Sequence, residues 1–224
     1  MSGDDLRVLV VDDESLVRRG LVSILYAQPG ISVVGEASDG AEAVSQARAL
    51  DPDVVVMDVR MPRMDGIEAT HRLQRSARPP AVLVLTTFDA DEHVHAALRA
   101  GAGGFVLKDA PEEQLVAAVR AVRSGSWQAD PRVMHRLTAH VTAARRVRPS
   151  PLLDVLTARE VEVLRHLAQG ISNEEVGRRL GIGEATVKTH VSRLLAKLGL
   201  VTRVQAVVLA YESGLVVPGD GGGR

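Results

Sequence analysis

Five short apolar runs punctuate the first half of the chain: LRVLVV at 6–11, SVVGEA at 32–37, DVVVMD at 53–58, AVLVLT at 81–86 and GFVLK at 104–108. Helix-length stretches of mixed polarity follow each of them, at 15–27, 40–50, 65–77, 90–100 and 111–123. Strands apolar on both faces that alternate with helices predict a parallel sheet covered on both sides. The punctuation agrees, since Pro111 suits the first turn of a helix, Gly101 follows a helix end, and Asp65-Gly66 opens a helix.

The predicted fold is α/β, flavodoxin-like, with five parallel strands in the order 2-1-3-4-5 and five helices. A ligand site above the carboxyl edge of such a sheet needs a reversal of strand order, here at strands 1 and 3. That order brings four strand ends together: Asp12-Asp13, Asp58, Thr86 and Lys108. Three carboxylates would repel one another there unless a cation binds, and hard oxygen ligands with water suit Mg²⁺. An ammonium and a hydroxyl nearby supply the charge compensation and hydrogen bonding that an arriving phosphoryl group needs. Asp58 thereby reads as a nucleophile that accepts phosphate. The lysine adds weight, because only three of the 27 basic residues are Lys, at 108, 188 and 197. A chain so biased to Arg uses Lys where a compact, flexible point charge matters.

The second half has a different period. Thr157-x-x-Glu160 and Ser172-x-x-Glu175 read as capping boxes, so helices should begin near 158 and 173. Gly170 stops the first, and Gly181 to Gly183 make a tight turn before a third helix, the layout of a helix-turn-helix. This third helix has one apolar stripe, Val187, Val191, Leu194 and Leu198, and presents Lys188, Thr189 and Ser192 on its other face. Val204, Val207, Val208 and Tyr211 form a stripe on a last helix, which could serve either a partner or its own domain.

Charge separates the two halves. Residues 1–131 hold 13 basic and 20 acidic residues, 132–150 hold five Arg and no acid, and 151–217 hold eight basic and seven acidic. An acidic body, a basic connection and a near-neutral end imply two domains with different partners. The boundaries read as a first domain over 1–124, a linker over 125–150, a second domain over 151–217 and a tail over 218–224. Within the linker, 132–144 has the pattern of a modest helix, and its arginines suit either a solvated connection or phosphate contact. The chain has no cysteine, which excludes disulfides and thiolate chemistry. Acids stand at its start where a secretion signal needs bases, and no apolar run approaches a membrane span, so a cytoplasmic protein without membrane contact is expected.

VLVVDDE, DVVVMDVRMPRMDG, VLVLTTF and GAGGFVLK resemble the receiver domain of two-component response regulators. That resemblance implies that a sensor histidine kinase transfers its phosphoryl group to Asp58. It also implies Mg²⁺ bound by Asp13 directly, by Asp12 through water, by Asp58 and by the Arg60 carbonyl. Thr86 and Lys108 would hold the phosphate, and Phe105 would turn inward as Thr86 shifts. The family often has Pro after the lysine; here it is Asp109, which implies an altered loop beside an intact site. Residues 152–217 resemble the LuxR-type DNA-binding domain of NarL/FixJ regulators through Leu156-Thr157, Arg159-Glu160, Thr186-Val187-Lys188, His190, Lys197-Leu198 and Arg203. By that resemblance Lys188, Thr189 and Ser192 face the major groove of a double-stranded operator. Thr186, His190 and Lys197 either touch the DNA backbone or fix the helix. Homodimerisation on phosphorylation is the expected switch. Gly183 and Gly177 stand where the family has a Ser cap and an Ala, and each should loosen the motif by up to about 1 kcal/mol.

The competing class is a phosphohydrolase acting through an aspartyl-phosphate at Asp58. Such enzymes need a second acid two residues beyond the nucleophile for proton transfer, and Arg60 occupies that position. A receiver that dimerises without phosphorylation is opposed by the complete set of acids, Thr and Lys. The expectation is therefore a phosphorylation-dependent transcriptional regulator and not an enzyme.

Overall fold

The computed structural model describes residues 5–86, 91–125 and 153–216. The chain divides into two compact units, Met1–Trp127 and Gln128–Arg224. The readings made for 132–144, for most of the linker and for the tail lie outside the described residues.

In the first unit, strands β1 (Leu6–Val11), β2 (Ile31–Ala37), β3 (Val54–Asp58), β4 (Ala81–Thr86) and β5 (Gly104–Leu107) alternate with helices α1 (Ser15–Tyr26), α2 (Gly40–Leu50), α3 (Gly66–Gln74), α4 (Asp91–Arg99) and α5 (Glu112–Arg123). All pairs are parallel and the order is β2-β1-β3-β4-β5, as expected. The unbroken apolar runs are central: Val8–Val11 and Val54–Met57 are fully buried, because helices cover both faces. Helices begin where a side chain can take the first free N–H groups. Asp39 accepts from the Ala41 and Glu42 amides and Asp65 from the Glu68 amide. Pro111 sits at the N-cap of α5, and Gly101, at φ 108°, lets the chain leave α4. Helix α3 ends at Gln74, three residues short of the expected 77, as Arg75 and Ser76 turn back onto its last carbonyls.

The second unit holds α6 (Ala158–Ala168), α7 (Asn173–Leu180), α8 (Glu184–Leu198) and α9 (Arg203–Glu212). Thr157 and Glu160 form a full reciprocal capping box. The Ser172 box is only half formed. Ser172 accepts from the Glu175 amide, but the Glu175 carboxylate turns outward to Arg178 and Arg179. A second full box, Thr202 with Gln205, starts α9. Val187 and Leu194 of α8 are buried with Val163, Leu164 and Leu167 of α6 in the core of this unit. The α9 stripe is spent in burial: Val204, Val207 and Val208 are covered, and the Tyr211 hydroxyl donates to the Ala168 carbonyl at 2.9 Å. No single described helix is long and apolar enough to cross a membrane.

Candidate functional site

The sheet register places the expected residues on one edge. Asp58, the last residue of β3, pairs with Leu85, one residue before Thr86, and Thr86 pairs with Leu107, one residue before Lys108. The Lys108 amide donates to the Thr86 carbonyl at 2.8 Å, which carries the pairing one step past the end of β5. Asp12 and Asp13 follow β1, which lies beside β3.

Asp12, Asp13 and Asp58 each offer a carboxylate oxygen within 4.8 Å of the others. Asp12 is wholly buried, Asp58 is 5% exposed, and Asp13 lies open to solvent. The Lys108 ammonium stands 2.8 Å from Asp12 Oδ2, 3.2 Å from Asp58 Oδ1 and 3.9 Å from Glu14 Oε1. Backbone donors hold the carboxylates in place: the Glu14 amide donates to Asp12 Oδ1 and the Val59 amide to Asp58 Oδ1, both at 2.9 Å.

Burial pushes the Asp58 carboxyl above its ordinary value and neighbouring Asp12 pushes the same way, against the opposing pull of Lys108. Burial works to lower Lys108, but Asp12 and Asp58 outweigh it and keep the ammonium charged, above its ordinary value. One cation thus faces two buried acids and a third at the rim. The buried Asp12 Oδ2 is met by the Lys108 ammonium at 2.8 Å and by no other hydrogen-bond donor among the described residues. An all-oxygen cluster with surplus negative charge and such an oxygen fits a hard divalent cation.

An open cleft of about 480 Å³ leads to this cluster, lined by Asp13, Arg60, Met61, Pro62 and His93 among others. Asp109 belongs to a turn closed by the Ala110 amide on the Leu107 carbonyl, and Lys108 still reaches both acids. Thr86 is buried at 3% exposure, and Phe105 already stands inside the fold at 7%.

Gly66 was legible only as a helix start. A Cβ there would stand 2.0 Å from the Asp58 carbonyl oxygen, so the chain after Asp58 folds back against its own strand in a way that excludes any side chain. Glu14 and the Val59 amide are further participants that carried no sequence signal.

In the second unit, Thr186, Lys188, Thr189 and Ser192 are exposed along α8 and His190 is half-buried. Lys188 pairs with Glu184 at 2.9 Å, and the Thr189 hydroxyl donates to the Ala185 carbonyl at 3.0 Å. Lys197, further along α8, is exposed and ion-paired. Its ammonium is 2.7 Å from Glu160 Oε2, a carboxylate nine-tenths buried in the capping box of α6, so it fixes α8 to α6. Arg203, whose role sequence left blank, is buried and donates to the Ile171 carbonyl and Asn173 Oδ1, fastening α9 to the start of α7. Burial brings its pKa down to about 10.

Gly183 caps α8 without a side-chain bond, as expected. Gly177 is a correction. The Ile182 carbonyl lies 2.6 Å from where its Cβ would be, and the Ile182 amide donates to the Gly177 carbonyl at 2.9 Å. The small residue admits the turn before α8, so its effect is close approach and not only looseness.

Comparison with known proteins accords with both halves. The family model for the response regulator receiver domain matches residues 8–120, and that for bacterial regulatory proteins of the luxR family matches residues 154–210. The chain is 41% identical over 213 residues to the transcriptional regulatory protein LiaR of Bacillus subtilis, covering 94% of this chain and 99% of that protein. It is 38% identical over 211 residues to the response regulator protein VraR of Staphylococcus aureus, with the same coverage of each. Among solved structures it resembles the response regulator ChrA of a heme-sensing two-component system, at 41% identity and TM-score 0.53 over 95% of this chain and 100% of that one. It also resembles RcsB, another two-component response regulator, solved as an RcsB–DNA complex, at 25% identity and TM-score 0.53 over the same shares. The chain belongs to the NarL/FixJ family of response regulators, with a receiver domain and a LuxR-type helix-turn-helix DNA-binding domain.

Proposed function

We propose that Asp58 accepts a phosphoryl group from the phosphohistidine of a sensor histidine kinase, and that this modification promotes homodimerisation and operator binding. The observation that carries the reading is the buried Asp58 carboxylate with Lys108 at 3.2 Å and two further acids gathered round it. An Asp58 carboxylate oxygen forms the new P–O bond while the P–N bond to histidine breaks. Asp12, Asp13, Asp58 and the Arg60 carbonyl would hold Mg²⁺, which would neutralise charge on the phosphoryl oxygens. Lys108 and Thr86 would bind the arriving oxygens, and Phe105 would follow Thr86 as the switch. The acyl phosphate would carry about −1.5 to −2 of charge in place of the single negative charge of the Asp58 carboxylate, and it would sit beside Lys108, redrawing the ion pairs this side chain now makes.

Lys188, Thr189 and Ser192 are read as facing the major groove of double-stranded DNA, with Thr186 and His190 at its backbone. The ion pair to Glu160 supports a helix-fixing role for Lys197. The domains proposed are a receiver over 1–124, a linker over 125–150, the DNA-binding domain over 151–217 and a tail over 218–224. The protein would act in the cytoplasm, as a phosphoacceptor and not as a turnover enzyme; Arg60 stands where a hydrolase needs its second acid.

Incubation with acetyl phosphate and Mg²⁺ should add one phosphoryl group, placed on Asp58 by mass spectrometry and absent from Asp58→Asn. Label on another residue, or equal labelling in excess chelator, would refute the assignment.

A further inference from the structure

The loop over 59–65, which carries the chain from Asp58 to α3, is held from outside the acidic cluster. Arg63 has φ 67°, a left-handed conformation uncommon for any residue with a side chain. Across it the Met64 amide donates to the Pro62 carbonyl at 2.8 Å. A hydrogen bond from i+2 back to i around a residue of positive φ is a γ-turn of the rare, strained kind. Strain of this sort persists only where the surroundings over-determine it.

The surroundings here are the N-terminus of α2. Asp39 Oδ1 accepts from the Ala41 and Glu42 amides at 2.7 and 2.9 Å, and Oδ2 is paired with the Arg63 guanidinium. The Glu42 amide, aided by Arg63 and Ala41, outweighs burial and holds the Asp39 carboxyl below its ordinary range. The next residue grips the same loop: the Gly40 amide donates to the Met64 carbonyl at 3.0 Å. A Cβ at Gly40 would stand 2.7 Å from the Met64 carbonyl oxygen and 2.9 Å from that of Asp65. At the other end, the Val59 carbonyl takes the Gly66 amide at 2.9 Å. Arg60 and Met61, between these two clamps, line the cleft that Asp13 also lines.

We propose that the Asp39–Arg63 ion pair is a latch that holds this loop in its strained turn and so sets the affinity of the acidic cluster for a divalent cation. Arg63 touches neither the cation nor the phosphate; it is a positioning residue. The inference rests on the reading of Asp12, Asp13, Asp58 and Arg60 as the Mg²⁺ site.

The test is calorimetric titration of MgCl₂ into full-length protein, with melting temperatures measured alongside. Asp39→Ser removes the charge yet keeps a good helix cap, and Arg63→Met removes the guanidinium while leaving the left-handed strain in place. Each should weaken Mg²⁺ binding about tenfold, the size of effect typical of groups that orient metal ligands. The double variant should be no weaker than either single one, Arg63→Lys should keep most of the affinity, and melting temperatures should stay close to wild type. Wild-type affinity in both single variants, with binding lost in Asp13→Asn, overturns the latch and leaves the cation site standing. Effects that multiply in the double variant also overturn it, since independent groups behave that way. Wild-type protein that binds no Mg²⁺, or Asp13→Asn that binds as tightly, overturns latch and cation site together.

Discussion

Gly66→Ala is the smallest change that should damage the phosphoacceptor without touching its chemistry. The added methyl would lie 2.0 Å from the Asp58 carbonyl oxygen, 3.0 Å from its carbonyl carbon and 3.1 Å from Met57 Cγ. Ordinary carbon contacts lie near 3.5 Å, so the start of α3 must move by more than about 1 Å. Two of these three neighbours are main-chain atoms of a central strand, which cannot rotate aside. Overpacking of a filled core costs about 1–3 kcal/mol, and rigid neighbours place this case at the upper end. For a domain of this size the melting temperature of the receiver should fall by about 8–15 °C. The same displacement moves the 59–65 loop against Asp58, and misplacement on this scale slows chemistry by about a hundredfold. Phosphoryl transfer from acetyl phosphate, followed by intact-mass spectrometry below the melting transition, reads the second effect.

Gly20→Ala is the matched control. Gly20 lies inside α1 with nothing within 4 Å of its Cβ position, so alanine there should stabilise by up to about 1 kcal/mol through helix propensity. If Gly66→Ala melts and labels like wild type, the close approach inferred at Asp58 is wrong.

The second unit supports two further expectations. Burial alone would raise the Glu160 pKa, but Lys197 and Thr157 outweigh it and hold it below the ordinary 4.5. Its contribution is therefore complete above that value and lost as pH falls through the lower folded one. Calorimetry between about pH 5 and pH 3 should show wild type losing stability more steeply than Glu160→Gln, and parallel curves would remove the pair from the account. Lys197→Met strands that carboxylate and, the lysine being partly exposed, should cost about 1–2 kcal/mol with little change in the salt dependence of DNA binding. Lys188→Ala should weaken operator binding by about 1–3 kcal/mol, and Glu184→Gln, which frees Lys188, should strengthen it. Titration of matched and scrambled DNA separates base reading from phosphate contact, and no loss on either DNA would remove α8 from the groove.

What the residues determined by themselves was periodic or local. Apolar runs such as Val8–Val11 and Val54–Met57, short and alternating with helix-length stretches, read as doubly covered strands, and a carboxylate at the end of one of them marks the edge where loops gather. Caps at Asp65, Thr157 and Ser172 were readable because a side chain three residues from its partner amide acts within one turn. Spacing and strand order therefore sufficed to bring the four strand ends to one edge of the sheet.

Pairings between groups far apart in sequence were decided only by the tertiary structure. Lys197 read from sequence as either a DNA-backbone contact or a helix-fixing residue, and only the packing of α8 on α6 brought Glu160, 37 residues away, within 2.7 Å. Glu175, which completed a capping box on paper, found Arg178 and Arg179 instead, because two guanidinium groups within one turn outcompete a single backbone amide for its half-buried carboxylate. Gly66 and Gly177 are ordinary glycines in the sequence, and only the approach of another segment's carbonyl makes a side chain impossible or tight there. Arg63 and Asp39, 24 residues apart, meet because the sheet order sets the loop after β3 beside the start of α2. Periodicity along a chain records which face each residue presents; which partner meets that face depends on how whole elements pack, and a single sequence carries no direct record of that.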